Sequence, residues 1–190
     1  AVRSGLRMSA DILFPASCIG CRIQVSEPGT LCPHCWSQLR FIEKPYCPVL
    51  GIPFNHDFGE NFMSAEAIAD PPPFRRLRSA VLHRGAAQRM AVALKFHDRT
   101  DLAPWMARWM QRAGRELLDE CDVILPVPLH KWRFWSRRFN QSAELARALA
   151  QLSSKPFAPQ AGKRIRRTNQ QIWLGLKERK RNVDGAFRVP

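Results

Sequence analysis

The chain has 190 residues, of which 45% are hydrophobic, and its formal net charge at pH 7 is +14. That length and apolar content suffice for one core with a small accessory module, and they exclude a wholly disordered protein. No apolar run approaches the ~20 residues that a transmembrane helix needs, so we expect no membrane insertion. The apolar group at residues 12–14 is also too short for a secretory signal, which favours a cytoplasmic protein.

Two closely matched cysteine pairs come first along the chain. Cys18 and Cys21 form one CxxC motif, and Cys32 and Cys35 form a second one after an interval of ten residues. Four thiolates at this spacing can close a tetrahedral site, as structural zinc does in ribbon modules. Two disulfides are disfavoured without a secretory signal, and a redox pair normally opens a helix in a thioredoxin-like fold. We therefore predict a structural zinc in a ribbon-like module over residues 1–60, with a short leading helix at residues 4–14.

The other cysteines and a nearby histidine are predicted to stand outside this site. His34 lies within the second motif, but with four cysteines available we expect it to face solvent. Cys47 begins a third, incomplete motif, in which Leu50 occupies the place of the second cysteine. We interpret Cys47 as a spare thiol and Cys121 as a buried apolar residue.

A proline-rich connector is predicted to follow the module. Three consecutive prolines cannot continue a helix, so residues 61–76 are interpreted as a linker and residues 77–190 as the larger domain. Residues 77–82 are a candidate strand, and residues 86–96 are a candidate helix. Apolar residues at helical spacing over residues 102–117 predict an amphipathic core helix, with Pro104 tolerated in its first turn.

The segment of residues 122–152 is predicted to run from a buried strand through a cationic loop into a helix. The strand is the apolar run at residues 123–125, and the helix follows Asn140 and Ser142, both good N-cap residues. In open α/β sheets, ligands bind beyond the carboxyl ends of the strands, where helix N-termini favour anions. The loop is thus a candidate phosphate or pyrophosphate site, with contacts expected from Lys131, Arg133, Arg137, Arg138, Asn140 and Gln141.

Positive charge is concentrated at the C-terminal end of the sequence. Residues 131–190 contain 15 Lys and Arg against 3 Asp and Glu, whereas residues 1–130 contain 15 against 13. This segregation favours a polyanion or a multiply phosphorylated small molecule as partner over a generic basic tail that aids solubility. Interleaved rings also suit single-stranded DNA, since bases stack on aromatics while cations follow the phosphates. The rings belong to Trp132, Phe134, Trp135, Phe139 and Trp173.

Several stretches together make the sequence resemble the ComF family. They are the paired CxxC motifs, ALKFHDRTDLAPWMA at residues 93–107, PVPLHKWRFWSRRFNQS at residues 126–142 and RRTNQQIWLGLKERKRNVDGAF at residues 166–187. The resemblance covers most of the chain. It implies an α/β fold in which a small zinc-ribbon-like module precedes a type I phosphoribosyltransferase-like (Rossmann-like) domain with a largely parallel sheet.

The resemblance also implies ligands and partners. ComF proteins are associated with uptake of transforming single-stranded DNA, which suggests competence or DNA-uptake proteins as partners. The resemblance also implies possible binding of phosphoribosyl pyrophosphate (PRPP), for which Mg²⁺ is the usual cofactor. A second basic stretch is implied to be a flexible flap near the active site, although its charge alone suits a strand or hairpin along a phosphate backbone. Its candidate residues are Arg164, Arg166, Arg167, Gln170, Arg179 and Arg181.

The sequence departs from the family pattern at two places. Leu50 leaves the third cysteine motif one thiol short, which argues against a second zinc site. No Asp-Asp pair followed by a Thr-Gly turn occurs in the 190 residues, so the PRPP loop that would hold ribose and 5′-phosphate is expected to be missing. We therefore expect an incomplete transferase domain, inactive on its own. The alternative hypothesis is a non-catalytic, zinc-containing protein that binds single-stranded DNA.

Overall fold

The computed structural model describes residues 15–59, 61–130, 139–169 and 171–189. These residues form two compact units, the first comprising residues up to 97 with 112–114, the second comprising residues 98–111 and those from 115 onward. The predicted linker, residues 61–76, lies inside the first unit. The assignment of residues 77–190 to a domain of their own stays a prediction.

Short helices and tight turns build the first unit. Helix α1 spans Pro33–Ser37, α2 spans Ala65–Ala69 and α3 spans Gly85–Phe96. The predicted helix over residues 86–96 is thereby confirmed and begins one residue earlier. Cys32 precedes α1 and Ser64 precedes α2, each with its side chain accepting a hydrogen bond from the helix N-terminus.

The candidate strand over residues 77–82 is not a strand, and only one isolated bridge forms there, between Phe41 and Val81. The N–H of Leu77 bonds to Val49, whereas the N–H of Leu82 bonds to Arg40. Because the two ends of the segment bond to different loops, no continuous ladder can form along it.

Helices dominate the chain from residue 98 onward. A 3₁₀ turn at Thr100–Leu102 leads into α4 over Ala103–Ala113, and α5 covers Arg115–Glu120. The single core helix predicted over residues 102–117 is therefore divided in two. The break falls at Gly114, and glycine is a weak helix former because its backbone loses the most conformational freedom on folding.

The last part of the chain adds two helices and a short antiparallel pair. Helix α6 spans Gln141–Ser153, as predicted, with Asn140 as its N-cap, and α7 spans Leu176–Val183. Strand β1, Lys163–Arg164, pairs antiparallel with β2, Phe187–Arg188. Among the described residues this is the only sheet, so the expected parallel phosphoribosyltransferase-like sheet is not confirmed.

The core of the second unit forms where α6 packs on α4 and α5. The buried residues of this core cluster are Ala107, Leu118, Ile124, Ala146, Leu149 and Ala150. Cys121 packs against them and is half-buried, so it is less enclosed than predicted. The 146, 149, 150 spacing places one face of α6 inward, which is the amphipathic pattern expected from the sequence.

The predicted buried strand at residues 123–125 needs correction. Ile124 is 9% exposed, but Val123 and Leu125 are 40% and 48% exposed. Ile124 makes a single parallel bridge to Phe157, bonding to Pro156 and Ala158. Because the segment alternates between buried and exposed positions, it is a half-buried extended stretch and not a strand covered on both faces. No helix in the described ranges is long and apolar enough to cross a membrane.

Candidate metal centre and basic arm

The four cysteines of the paired motifs come together in the first unit. The Sγ atoms of Cys18, Cys21, Cys32 and Cys35 all lie within 4.8 Å of one another. The distance between the Sγ atoms of Cys21 and Cys32 is 3.7 Å. Tetrahedral Zn²⁺ with Zn–S bonds of ~2.3 Å requires sulfur atoms ~3.8 Å apart. The size of the cluster and its donor set therefore fit a closed, structural zinc site.

A tight turn presents the first two thiols. The N–H of Cys18 donates to Ile23 (2.7 Å) and the N–H of Arg22 donates to Cys18 (2.8 Å), with Arg22 at φ 67°. The N–H of Gly20 points at Cys18 Sγ from 3.4 Å. A Cβ at Gly20 would lie 3.1 Å from Cys35 Sγ, so the turn can approach the other thiols closely because it carries glycine there.

Helix α1 presents the other two thiols. Cys32 is its N-cap, and the N–H of Cys35 donates to Cys32 Sγ (3.4 Å). The N–H of Cys32 in turn donates to Cys18 Sγ (3.2 Å), which links the helix to the turn. The sulfurs of Cys18 and Cys32 thus accept hydrogen bonds from backbone N–H groups, and such donors favour the thiolate form that a metal requires.

The thiols differ strongly in acidity. Burial alone would raise the pKa of Cys18, but the N–H groups of Cys32, Cys21 and Gly20 lower this pKa to about 6. Burial, followed by the neighbouring thiols led by Cys21, raises the pKa of Cys35 to about 12. A divalent cation at the centre of the cluster would offset the negative charge of the four thiolates.

An arginine from α3 completes the surroundings of the cluster. Nη2 of Arg89 lies 3.6 Å from Cys35 Sγ and donates to the side chain of Gln38 at 2.8 Å. Such an outer contact orients a ligand and partly neutralises its charge. Nothing in the sequence pattern predicts this contact, because Arg89 is 54 residues from Cys35 and belongs to a helix without a metal-binding motif. His34 is exposed, as predicted, and takes no part in the cluster.

The flanks of the cationic loop are fastened to each other in the second unit. Nδ2 of Asn140 donates to the carbonyl of Val127 (3.0 Å), and the N–H of Val127 donates to Ser142 Oγ (2.9 Å). Oδ1 of Asn140 also caps α6 by accepting from the N–H of Ser142 at 3.0 Å. The two flanks of the loop therefore meet at the N-terminus of α6, where Gln141 is the first residue.

Some of the predicted phosphate contacts fall where the structure gives no description. Lys131, Arg133, Arg137 and Arg138 lie outside the described residues, as does Gln170 of the second basic stretch. Asn140 is described, and its amide makes the local hydrogen bonds given above. The phosphate-binding role of the six residues stays a prediction.

Residues 163–169 and 171–188 belong to a closed basic arm. Its base is the β1–β2 pair, extended by the N–H of Ile165 donating to Ala186 at 2.9 Å. Further along, Asn169 and Asn182 exchange two hydrogen bonds of 3.1 and 3.0 Å between backbone and side-chain groups. The guanidinium of Arg166 also donates to the carbonyl of Asp184, which links the two sides of the arm once more. The described part of the stretch is thus a closed loop that carries α7 and has a short antiparallel strand pair at its base.

The outer part of the arm exposes rings and cations together. Trp173 is 85% exposed, and Ile172 and Leu176 beside it are 69% and 86% exposed. The neighbouring exposed cations are Arg166, Arg167, Lys177, Arg179, Lys180 and Arg181. Of these, Arg179 donates to the carbonyl of Leu174 at 2.9 Å.

Arg164 lies at the base of the arm and is only half-buried there. It bonds to Thr168 and sits over the ring of Phe187 at 5.4 Å. An apolar groove of about 440 Å³ lies in the same unit, lined by Leu125–Pro128 on one side and by Phe187–Val189 on the other. The arm residues predicted from the sequence are therefore collected in one structural feature, with Gln170 outside the described residues.

The thiol cluster, its tight turn and its capped helix together define a zinc-ribbon protein. In agreement, the family profile of the double zinc ribbon domain matches residues 9–68. DNA utilization protein YhgH of Salmonella typhi is 31% identical over 184 residues, which covers 94% of this chain and 79% of the relative. Competence protein F of Haemophilus influenzae is 25% identical over 183 residues, covering 93% and 77% respectively.

These similarities extend well beyond the ribbon. The YhgH protein of Escherichia coli strain K12 is 29% identical over 187 residues, again 94% of this chain and 79% of the relative. The chain belongs to the ComF family, which confirms the resemblance seen in its motifs. No solved structure shows a significant match to it.

Proposed function

We propose that this protein serves DNA uptake or utilisation and that its second unit binds a phosphorylated ligand such as PRPP. The printed names of its relatives, DNA utilization protein and Competence protein F, support the first part. The composition of residues 131–190, with 15 basic residues against 3 acidic ones, supports the second. The zinc ribbon has the role of a structural support, because a site closed by four thiolates offers no open position for a substrate.

The observation that carries the proposal is the fastening of the cationic loop at the N-terminus of α6. Val127 and Asn140 hold the two flanks together, so the residues between them are joined to the chain beside the N-terminus of α6. A helix N-terminus favours phosphate because the positive end of the helix dipole lies there. Lys131, Arg133, Arg137 and Arg138 would add the cations that a pyrophosphate group requires.

This loop suits the leaving-group side of a phosphoribosyl transfer. That reaction breaks the bond between the anomeric carbon and pyrophosphate, and negative charge develops on the departing oxygen. Cations and N–H groups held in place beforehand stabilise such charge. Mg²⁺ would be expected to accompany PRPP on its phosphates. Gln141, at the first turn of α6, is in position along the chain to add an amide contact.

Calorimetric titration with PRPP and Mg²⁺ tests this proposal. We expect measurable binding to the chain and a large loss of affinity in the Arg137→Ala/Arg138→Ala variant. The Arg84→Ala/Arg115→Ala variant removes the same charge at exposed positions outside both basic segments, so it should bind as the native chain does. Absence of binding heat, or equal losses in the two double variants, would refute a phosphate site in the loop.

Single-stranded DNA is a second candidate ligand, favoured by the basic arm. Trp173 exposes 85% of its surface beside the cations of α7, and Ile172 and Leu176 extend the apolar surface around it. Stacking of a base on an aromatic side chain contributes ~1–3 kcal/mol, while cations follow the phosphates. In this reading the arm binds DNA and no catalysis is required.

A salt titration of single-stranded DNA binding distinguishes this candidate. Affinity should fall steeply with salt, and Lys177→Gln/Arg181→Gln should reduce the logarithmic slope by about 0.7 per lost phosphate contact. Trp173→Ala should weaken binding roughly tenfold or more, whereas Trp36→Ala, which removes an exposed ring from the first unit, should not. Salt-independent affinity would rule out phosphate contacts by the arm.

A further inference from the structure

The backbone around Cys47 repeats the metal-binding turn around Cys18. The N–H of Cys18 donates to Ile23 five residues on, and the N–H of Cys47 donates to Ile52, also five residues on, at 2.7 and 2.8 Å. Bridges close both turns, between Ser17 and Gln24 and between Tyr46 and Pro53. Each of these four residues around Cys47 lies 29 positions after the corresponding residue around Cys18.

The fifth residue of each turn has the same unusual conformation. Arg22 has φ 67° and Gly51 has φ 63°, and in both turns the N–H of this residue donates to the carbonyl of the first cysteine at 2.8 Å. Glycine is required in the second turn, because a Cβ at Gly51 would lie 2.6 Å from the carbonyl oxygen of Leu77. The residue that corresponds to Cys21 is Leu50.

The capped helices repeat as well. Cys32 caps α1, and its own N–H donates to Cys18 Sγ at 3.2 Å. Ser64 caps α2, and its own N–H donates to Cys47 Sγ at 3.4 Å.

In each helix, the N–H of the third residue donates to the side chain of the N-cap residue. The N–H of Cys35 bonds to the cap side chain of Cys32, and the N–H of Ala67 bonds to that of Ser64, both at 3.4 Å. Ala67 therefore corresponds to Cys35, and both positions are buried, at 5% and 0% exposure.

We propose that residues 45–69 form a second ribbon that folds without a metal ion. Its four ligand positions are occupied by Cys47, Leu50, Ser64 and Ala67. One thiol, one hydroxyl and two hydrocarbon side chains do not make a tetrahedral zinc site, which needs about four nitrogen, sulfur or carboxylate donors. The domain keeps the backbone of a double ribbon, but only its first half retains the ligands.

Hydrogen bonds to Cys47 take the place that a metal would have in such a ribbon. The thiol is completely buried, and it accepts from the N–H groups of Leu50 (3.5 Å) and Ser64 (3.4 Å). Burial alone would raise the pKa of Cys47, but these N–H groups, with the Ser64 hydroxyl and the N–H of Val49, leave the pKa below its usual value. A buried sulfur with these donors is satisfied without a cation.

Aromatic packing supports the connection between the turn and α2. The rings of Phe58 and Phe62 stack at 4.6 Å, and Phe54 meets them edge-on at 5.7 and 5.5 Å. Ring pairs of this kind contribute ~0.5–1.5 kcal/mol each beyond their buried area. The corresponding connection of the first ribbon, residues 24–31, contains no aromatic residue. The segment that joins the two halves of the second ribbon therefore has ring contacts that the corresponding segment of the first ribbon lacks.

Zinc content per chain tests the inference. The native protein should contain one zinc, and Cys47→Ala should leave that value unchanged, whereas Cys35→Ala should remove most of the metal. Two zinc ions in the native protein, or a loss of zinc in Cys47→Ala, would overturn the inference. Both measurements use chains with at most one substitution, so they do not depend on an engineered site.

Restoring the ligands provides the converse test. Leu50→Cys/Ser64→Cys/Ala67→Cys should raise zinc content from one to two per chain and double the thiolate-to-metal absorption after exchange with Co²⁺. The matched variant Leu50→Cys/Ser64→Cys/Ile68→Cys carries the same number of thiols, but Ile68 is 61% exposed, so its zinc content should stay near one. If Leu50→Cys/Ser64→Cys/Ala67→Cys had native circular dichroism but only one zinc per chain, the proposed ligand positions would be contradicted.

Discussion

The metal centre of the first unit and the second unit are stabilised in different ways. Cys18, Cys32 and Cys35 are at most 9% exposed, and one turn and one five-residue helix enclose them. The second unit instead packs α6 on a conventional apolar cluster and leaves the side chains of its arm exposed. In the first region the functional side chains are metal ligands that stabilise the fold. In the second unit the charged side chains of the arm stay exposed, where a ligand can reach them.

Removing one metal ligand should have the largest effect. In Cys35→Ala, three thiolates remain, and we expect zinc content to fall from about one per chain to near zero, with unfolding of the first ribbon. Structural zinc contributes apparent binding free energies of ~10–16 kcal/mol in small ribbon and finger peptides. Metal analysis with circular dichroism measures both effects. His34→Ala is the matched control inside the same motif, and a comparable loss of zinc there would show that the ligand set is wrong.

Truncating the core of α6 should have the next largest effect. Leu149 is 9% exposed within the apolar cluster, and Leu149→Ala should lower the free energy of unfolding by ~2–5 kcal/mol. Zinc content should not change. Leu152→Ala, on the same helix but 37% exposed, should cost clearly less. Urea unfolding of the three proteins provides the comparison, and equal costs for the two leucines would mean that the assigned inner face of α6 is incorrect.

The cap of α6 contributes a smaller amount. Asn140→Ala removes the N-cap bond to Ser142 and the bond to the Val127 carbonyl, for an expected loss of about 1 kcal/mol of stability. If the loop binds phosphate, PRPP affinity should fall as well, because the loop flanks are no longer held together. Asn140→Asp keeps the capping oxygen and should restore most of the stability without restoring the bond to Val127. Equal stability of the alanine variant and the native chain would refute the capping role.

Opening the arm should have the smallest effect on global stability. Asn182→Ala removes both hydrogen bonds to Asn169, which are exposed, so we expect a loss below about 1 kcal/mol. Amide exchange within residues 165–186 should nevertheless accelerate, because the opening of the arm is no longer closed. Unchanged exchange in this segment would show that the β1–β2 base is sufficient to close it.

The sequence predicted the parts of the molecule that local signals encode. The spacing of Cys18, Cys21, Cys32 and Cys35 identified the thiol cluster, because CxxC pairs report a tight turn and its ligands together. Asn140 likewise identified the start of α6. The strand predicted at residues 123–125 was wrong, because an apolar run does not show which of its faces is covered.

Other features have no local signature. Ser64 and Ala67 could not be recognised as ligand positions of a ribbon, since serine and alanine carry no metal-binding pattern and only the backbone reveals the repeat. Arg89 approaches Cys35 through tertiary packing alone. The basic residues of the arm were identified by charge, but its closure by Asn169 and Asn182 depends on contacts between residues 13 positions apart.

Hydrogen exchange followed by mass spectrometry, with and without a zinc chelator, tests the contrast between the two regions most directly. After chelation, we predict a large gain in exchange across residues 17–38, where turn and helix depend on the thiol cluster. Helix α6, Gln141–Ser153, should keep its protection, because its stability comes from apolar packing. Equal loss of protection in α6, or unchanged exchange across residues 17–38, would contradict the separate origins of stability in the two regions.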